Sequence, residues 1–284
     1  MNRATVAGVS VGDGLDVAVV GALNVSPESF YSGSVVTDAD RLLRAAEAMA
    51  RAGAAWLDVG AMSTAPYLEG RIPETQEADR LHWAVGLLTA KLDLPISADT
   101  SRSLAARAAL ESGARMLNDV TGLAADPALA RLAAAAGAGL VLMAHPAAAP
   151  APAEPVQTVL ASLAGSLARA RAAGVPDERI LVDPGIGFFR GGDIAWPEWD
   201  CRVLAALPAL RSLGRALYVG VSRKSFIGAL ADQPDPADRL PGTLAATAAA
   251  VLGGAHVIRA HDVAETAQAV RIAQAIRRAA PEGP

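Results

Sequence analysis

The sequence predicts an α/β protein with the architecture of a (β/α)₈ TIM barrel, in a single domain that covers residues 1–284. Eight short apolar runs alternate along the chain with eight longer, alanine-rich stretches of helical pattern. A polar residue stands at or just after the end of most of these runs: Asn24, Asp58, Asp99, Asn118, His145, Asp183 and Arg259. The carboxyl ends of all strands in such a barrel meet on one face, so these residues would form one pocket. A doubly wound open sheet is the structural alternative, and it would bind its ligand at a switch point.

The predicted strands are short apolar runs between polar or glycine-containing segments. In chain order they are Val17–Val25, Ala55–Val59, Pro95–Asp99, Arg115–Asp119, Gly139–Met143, Ile180–Asp183, Ala216–Val221 and His256–Arg259. The Pro-rich segment 146–155 is expected to be an extended loop after the fifth strand, and it does not divide the chain into domains.

The predicted helices have apolar residues three and four positions apart, as Leu42 and Ala46 are in the first of them. They are Asp38–Arg51, Glu74–Lys91, Ser101–Ser112, Pro127–Ala136, Val156–Ala173, Pro197–Leu213, Thr243–Leu252 and Val263–Ala279. Asp38 and Ser101 are suitable N-cap residues. Glycine follows several of the helices before the next strand, as suits a helix C-terminus: Gly53, Gly113, Gly137, Gly174 and Gly254.

Composition limits the class of protein. Hydrophobic residues make up 52% of the 284 residues, but much of this is alanine, and no apolar run approaches the ~20 residues of a membrane-spanning helix. The N-terminus lacks the pattern of a secretory signal, so we expect a cytoplasmic protein. The formal net charge of −4 argues against nucleic-acid or membrane-surface partners. A single cysteine, Cys201, excludes an internal disulfide and a cysteine-built metal site.

Three predicted strand ends carry groups suited to a flat, nitrogen-rich heterocycle. Asp99, Asn118 and Asp183 end the third, fourth and sixth strands. Two carboxylates and one amide offer the acceptors and donors that such a ring needs. The alternative for Asp99 or Asp183 alone is a helix cap or an ion pair with a nearby arginine.

The last two predicted strands deliver cations. Lys224, Arg259 and His261 would form a positive cluster where barrels often bind phosphate. Arg223 is expected to point outward, and a surface group of salt bridges is the alternative for the whole cluster. His145 is expected either to line the mouth of the pocket or to be structural.

Asn24 ends the first predicted strand, and a Ser/Pro/Gly-rich loop over residues 26–34 follows. An amide oxygen suits Mg²⁺ that is held mainly by phosphates and water. Asn24 is therefore a candidate metal ligand, with a structural amide as the alternative.

An ordered set of segments resembles the dihydropteroate synthase family along nearly the whole chain. The segments are GALNVSPESF, GAAWLDVGAMST, ISADTSR, LNDVTG, VLMAHP, VDPGIGFF, GVSRKSFIG, GTLAATAAAVLGGA and IRAHDV. The resemblance implies a (β/α)₈ barrel that joins 6-hydroxymethyl-7,8-dihydropterin pyrophosphate to p-aminobenzoate and releases pyrophosphate, in folate biosynthesis. It also implies Mg²⁺ and a homodimer.

The resemblance also implies functions for particular residues. The pterin pocket falls on Asp99, Asn118, Asp183 and Lys224, with Phe188 near the ring, and the pyrophosphate and Mg²⁺ fall on Asn24, Arg259 and His261. Thr64 belongs to a second loop over the site, and Ser222 borders the arylamine. The residues expected to carry catalysis are Asp99, Asp183, Lys224 and Arg259.

The sequence departs from the family pattern at several positions, including a conservative change at Ser26 and Glu28 in the first loop. Ala65 replaces an arginine, Phe189 replaces a glycine and Arg190 replaces a frequent lysine. The loops after the first two strands resemble an archaeal-type branch associated with methanopterin-like cofactors. Three alternatives stay open: the same pterin chemistry with another arylamine, methyl transfer from a reduced pterin, and, because of Ala65, pterin binding without catalysis.

Overall fold

Eight parallel strands close into a barrel in this computed structural model, which describes residues 1–26, 38–62, 72–148 and 154–279. An antiparallel hairpin of β1 (Arg3–Val6) and β2 (Val9–Gly12) precedes the barrel. The barrel strands are β3 (Ala18–Asn24), β4 (Trp56–Gly60), β5 (Ile96–Asp99), β6 (Met116–Asp119), β7 (Gly139–Met143), β8 (Ile180–Asp183), β9 (Ala216–Gly220) and β10 (Val257–Ala260). Strand β10 pairs with both β9 and β3, so the predicted barrel is confirmed and the open sheet is excluded.

Helices follow the strands. They are α1 (Ala39–Arg51), α2 (Glu74–Lys91), α3 (Ser103–Glu111), α4 (Ala128–Ala136), α5 (Pro155–Ala172), α6 (Trp196–Ala205), α7 (Ser225–Ala231), α8 (Leu240–Leu252) and α9 (Val263–Ala279). Among the described residues, no helix combines the length and apolar character needed to cross a membrane.

The predicted helix Pro197–Leu213 is wrong in its second half. Helix α6 ends at Ala205, and a 3₁₀ segment, Leu207–Leu213, follows it. Pro208 explains the break, because it has no N–H and its ring clashes with the carbonyl group four residues earlier. The sequence also did not predict α7, which has only seven residues.

The N-terminal hairpin, which the sequence analysis missed, closes the amino end of the barrel. Its turn contains Ala7 and Gly8, both with positive φ (49° and 84°), as a two-residue hairpin turn requires. Val6 and Val11 are fully buried against the interior of the barrel. The alternation of buried and exposed residues in β1 was the available signal.

The alternation of side chains along each strand explains why the polar residues lie at the carboxyl end of the barrel. Residues two apart on a strand point to the same side of the sheet. On four strands the deeper inward position is apolar and fully buried, and the next inward position is polar: Trp56 and Asp58, Met116 and Asn118, Leu181 and Asp183, Val257 and Arg259. The amino half of the interior is therefore a packed apolar layer, and the polar side chains lie above it.

Candidate active site

A network of four polar side chains joins the carboxyl ends of β4, β5, β6 and β10. Arg259 donates from Nε to Oδ2 of Asp58 at 2.7 Å and from Nη2 to Oδ2 of Asp99 at 2.9 Å. Asn118 donates from Nδ2 to the same Asp58 oxygen at 2.9 Å. These contacts compensate for the desolvation that a carboxylate meets in a barrel interior. The network thus fixes Asp99 and Asn118, two of the predicted heterocycle-binding residues, on one wall.

The electrostatics of this network favour a further ligand. Burial raises the pKa of Asp99 above its usual range, Arg259 opposes the shift, and Asp58 adds to it. Burial acts against the charge of Arg259, but Asp58 and Asp99 outweigh it and raise the pKa of the guanidinium. Within the described part of the chain, Oδ1 of Asp58 and Oδ1 of Asp99 have no hydrogen-bond partner. A buried oxygen without a partner is costly, so these atoms are suited to a ligand that brings N–H donors.

A second group lies at the ends of β8 and β9. Oδ1 of Asp183 accepts a hydrogen bond from the backbone N–H of Gly185 at 2.8 Å. Nζ of Lys224 donates to the carbonyl oxygen of Ile186 at 2.5 Å and lies 4.5 Å from the centre of the Phe188 ring. Burial raises the pKa of Asp183 to about 6 and lowers the pKa of Lys224 to about 8. Between these values the pair is a buried carboxylate facing an ammonium group.

Ser222 and His261 form a contact that the sequence did not predict. Oγ of Ser222 lies 2.9 Å from Nδ1 of His261, and the backbone N–H of His261 donates to the same oxygen at 3.2 Å. Burial, together with the charges of Arg259, Arg223 and Lys224, lowers the pKa of His261 to about 3. His261 is therefore neutral near pH 7, and its inclusion in a positive cluster was wrong. The residue still lies beside Ser222 at the carboxyl face.

Arg223 does not point outward, and that expectation was also wrong. Its side chain is buried, and Nε and Nη2 donate to the two carboxylate oxygens of Asp262 at 2.8 Å each. Nη1 donates to the carbonyl oxygens of Pro236 and Ala237 at 2.8 and 2.6 Å. The guanidinium is thus occupied in joining the segment after β9 to the start of α9, and Lys224 is the cation of this strand end that faces the site.

Asn24 lies half-buried at the end of β3, next to Asp99. A Cβ built on Gly60 would lie 3.4 Å from Oδ1 of Asn24 and 3.7 Å from Oδ2 of Asp99, so both side chains flank this glycine. The described residues contain no cluster of three or more His, Cys, Asp or Glu residues that could hold a metal ion. The amide oxygen of Asn24 fits a Mg²⁺ ion that takes most of its ligands from a substrate and water.

His145, after β7, borders the same face. Its ring centre is 6.5 Å from that of Phe188, its Nδ1 accepts from the backbone N–H of Ala147 at 3.1 Å, and burial lowers its pKa. Thr64 and Ala65 lie outside the described residues, as does most of the loop that follows Asn24.

Two buried carboxylates received no binding or catalytic role from the sequence. Asp58 was noted at a strand end, yet it is fully buried and accepts from both Arg259 and Asn118. Its signal was an acidic residue within the apolar run Trp56–Gly60. Asp200, on α6, accepts from the backbone N–H of Gly187 at 2.8 Å. Nothing in its local sequence distinguishes it from an exposed helical carboxylate.

The closed barrel, with acceptors that have no partner among the described residues on one wall and a Lys–Asp pair beside them, defines a class of (β/α)₈ enzyme that binds a nitrogen-rich heterocycle at its carboxyl face. A family model described as "Pterin binding enzyme" matches residues 20–261. A dihydropteroate synthase of Synechocystis sp. is 38% identical over 268 residues, which cover 92% of this chain and 90% of the relative. The chain belongs to the dihydropteroate synthase family, whose members are transferases.

Two solved structures show the same fold. A dihydropteroate synthase of Coxiella burnetii in complex with pteroic acid has a TM-score of 0.84 and 32% identity, with 98% of this chain and 99% of that chain covered. The Xanthomonas albilineans dihydropteroate synthase with 4-aminobenzoic acid has a TM-score of 0.85 and 34% identity, with the same coverage. The leaning of two loops toward an archaeal-type branch stays a prediction, since most of both loops lies outside the described residues.

Proposed function

We propose that this chain condenses 6-hydroxymethyl-7,8-dihydropterin pyrophosphate with p-aminobenzoate and releases pyrophosphate, as a step of folate biosynthesis. The observation that carries the proposal is the meeting of two groups at one end of the barrel. One is the Asp58–Arg259–Asp99 network with Asn118, and the other is the Asp183–Lys224 pair. Together they supply acceptors, donors and a cation for one flat heterocycle.

Each side chain has a distinct part in binding the pterin. Asp99 and Asp183 accept from the amino group and ring N–H groups, and Asn118 offers its carbonyl oxygen because its amide N–H donates to Asp58. Lys224 donates to a ring oxygen or nitrogen, and Phe188 packs near the ring, where its face lies 4.5 Å from the ammonium group. The apolar layer beneath, with Trp56 and Tyr218, excludes water from the deep side.

The reaction breaks the bond between the pterin methylene carbon and the pyrophosphate oxygen. The pyrophosphate leaves with the bonding electrons, the arylamine nitrogen forms a new bond to the methylene carbon, and the nitrogen then loses a proton. Arg259 stabilises the departing charge, and Asn24 would hold Mg²⁺ on the pyrophosphate. Mg²⁺, when bound, neutralises the charge that builds on the leaving group. Ser222, held by the neutral His261, borders the amine.

Steady-state pyrophosphate release tests the proposal. The purified chain should release pyrophosphate from the dihydropterin substrate only when Mg²⁺ and p-aminobenzoate are both present. Release that requires a ribosylated aniline phosphate would favour the alternative arylamine. Tight pterin binding without release would indicate a non-catalytic binder, and corrinoid-dependent methyl transfer without release would indicate a methyltransferase.

We also propose a homodimer and a single domain over residues 1–284, in the cytoplasm as the sequence predicts. Large apolar side chains on α7, α8 and α9 are exposed and are candidates for the contact between copies: Leu230, Leu252, Ile272 and Ile276. Sedimentation equilibrium distinguishes a dimer from a monomer, and a monomer at micromolar concentration would contradict the proposed pairing.

A further inference from the structure

The segment between β8 and α6 brings Phe188 and the carbonyl group of Ile186 to Lys224. Its path depends on Gly187, which has a positive φ of 86°. A Cβ at this position would also come within 3.0 Å of Cδ of Lys224. The position of Gly187 therefore determines how the segment packs against Lys224.

Helix α6 holds the segment at three points. The Phe189 ring stacks on Trp199 with centres 5.1 Å apart, and the Arg190 guanidinium lies 4.1 Å from the Trp196 ring centre. The third point is polar, because Oδ1 of Asp200 accepts from the backbone N–H of Gly187 at 2.8 Å. Asp200 thus fixes Gly187, which lies against the Lys224 side chain and directly follows Ile186, the residue whose carbonyl group accepts from Lys224.

The buried charge of Asp200 is more than this hydrogen bond requires. The residue is only 1% exposed, and its Oδ2 has no hydrogen-bond partner in the part of the chain that the structure describes. A neutral amide oxygen would also accept from Gly187, without the desolvation cost of a carboxylate. A carboxylate at this position is explained if its charge stabilises a nearby cation. Lys224, which faces the candidate site, interacts electrostatically with Asp200.

We propose that Asp200 is a positioning residue of the transferase site, which holds Gly187 in place and acts as a second counter-charge to Lys224 beside Asp183. This inference deepens the proposed function and rests on it for its role in turnover. The effect on the charge of Lys224, in contrast, is a property of the protein alone. The two can therefore be tested separately.

The charges that face Lys224 come from four elements. Asp183 of β8, Asp200 of α6 and Asp99 of β5 favour the ammonium form, and Arg259 of β10 opposes it. His261, also nearby, is neutral near pH 7. Burial is the largest influence and brings the pKa of Lys224 down to about 8.

Asp200 is faced by Lys224 and Arg190. Burial raises its pKa to about 6, against the Gly187 hydrogen bond and these two cations. Between about pH 6 and pH 8 both Asp200 and Lys224 are therefore charged. Removal of the Asp200 charge should make the ammonium form of Lys224 less stable, so that it loses its proton at a lower pH.

The sequence makes a direct measurement practical, since Lys91 and Lys224 are its two lysines. The full chain is labelled with ¹³C,¹⁵N-lysine, and the Cε and Nζ shifts are followed against pH, with a Lys91→Arg sample to assign the signals. In Asp200→Asn, which keeps an acceptor for Gly187, the midpoint of Lys224 should fall by roughly half a pH unit or more.

Asp126→Asn is the matched control. Asp126 caps backbone N–H groups at Ser103 and Ala128, at the starts of α3 and α4, so its substitution should leave the midpoint unchanged.

Turnover gives the second readout. In Asp200→Asn the alkaline limb of kcat/KM should move down in pH with the lysine midpoint. Asp200→Ala should also raise KM for the pterin substrate, because Gly187 loses its acceptor. An unchanged Lys224 midpoint in Asp200→Asn would overturn the inference whether or not the chain is active. If the Lys224 midpoint shifts in Asp200→Asn but the protein is inactive, the inference about Asp200 is supported and only the proposed function is contradicted.

Discussion

At the scale of single residues, the site is built from charges that burial makes costly and that neighbours compensate. Asp58 shows this most clearly, because one of its oxygens accepts from both Arg259 and Asn118 while the residue is fully buried. Hydrogen bonds to a charged group are worth about 1.5–3 kcal/mol. The carboxylate therefore orients two predicted ligand-binding side chains through one oxygen, while its other oxygen faces no partner among the described residues and is left for the ligand.

Asp58→Asn tests that role. The change keeps the shape of the side chain but removes the charge that Arg259 pairs with, so kcat/KM for the pterin substrate should fall by about 10- to 100-fold. The circular dichroism spectrum should be unchanged. Asp40→Asn, at an exposed position in the first turn of α1, is the control and should have full activity. Full activity in Asp58→Asn would mean that the network does not need the carboxylate.

The pH dependence of kcat/KM follows from Asp183 and Lys224. The pKa of Asp183 is raised to about 6, so below that pH the carboxylate is protonated and accepts more weakly. The pKa of Lys224 is lowered to about 8, so above that pH the ammonium charge is lost. Activity should be highest between these values and fall on both sides. A profile that stays flat from pH 5 to pH 9 would contradict this assignment.

At the scale of elements, the loops after the strands are held by buried polar contacts that the sequence does not reveal. Arg223 joins the segment after β9 to Asp262 at the start of α9, and it contacts two carbonyl groups near Pro236. An arginine directly before Lys224 looked like a surface residue in the sequence. The structure shows that Arg223 is buried, because the fold brings Asp262 beside it.

Arg223→Ala should therefore destabilise the protein strongly. The substitution leaves Asp262 without its guanidinium partner, and breaking a buried pair costs about 3–5 kcal/mol in the free energy of unfolding. Arg171→Ala provides the comparison, because Arg171 forms a bidentate pair with Asp177 at the surface and should cost about 1 kcal/mol or less. Urea denaturation of both variants measures the difference. Equal losses in the free energy of unfolding would show that the Arg223–Asp262 pair stabilises the protein no more than a surface ion pair does.

At the scale of the whole molecule, the sequence predicted the closed barrel and the strand ends that form the pocket. Both follow from periodicity: short apolar runs give the strands, and the polar residue two positions after a buried apolar one gives the pocket. The hairpin that closes the barrel was missed because four-residue strands give a weak signal. Asp200 was missed because its burial depends on the contact of α6 with the segment after β8, which no local pattern encodes. The neutral state of His261 likewise depends on its burial in the fold and on the charges of Arg259, two residues earlier, and of Arg223 and Lys224 after β9.

The proposed function requires the carboxyl face of this barrel to bind the pterin through the two groups described. Calorimetric titration of 6-hydroxymethyl-7,8-dihydropterin pyrophosphate into the unmodified chain and into Asp183→Ala tests it most directly. The unmodified chain should bind the substrate, and Asp183→Ala should lose at least about 100-fold in affinity, because two charge-assisted hydrogen bonds are removed. Its melting temperature should show that the barrel is still folded. Undiminished affinity in folded Asp183→Ala would contradict the account.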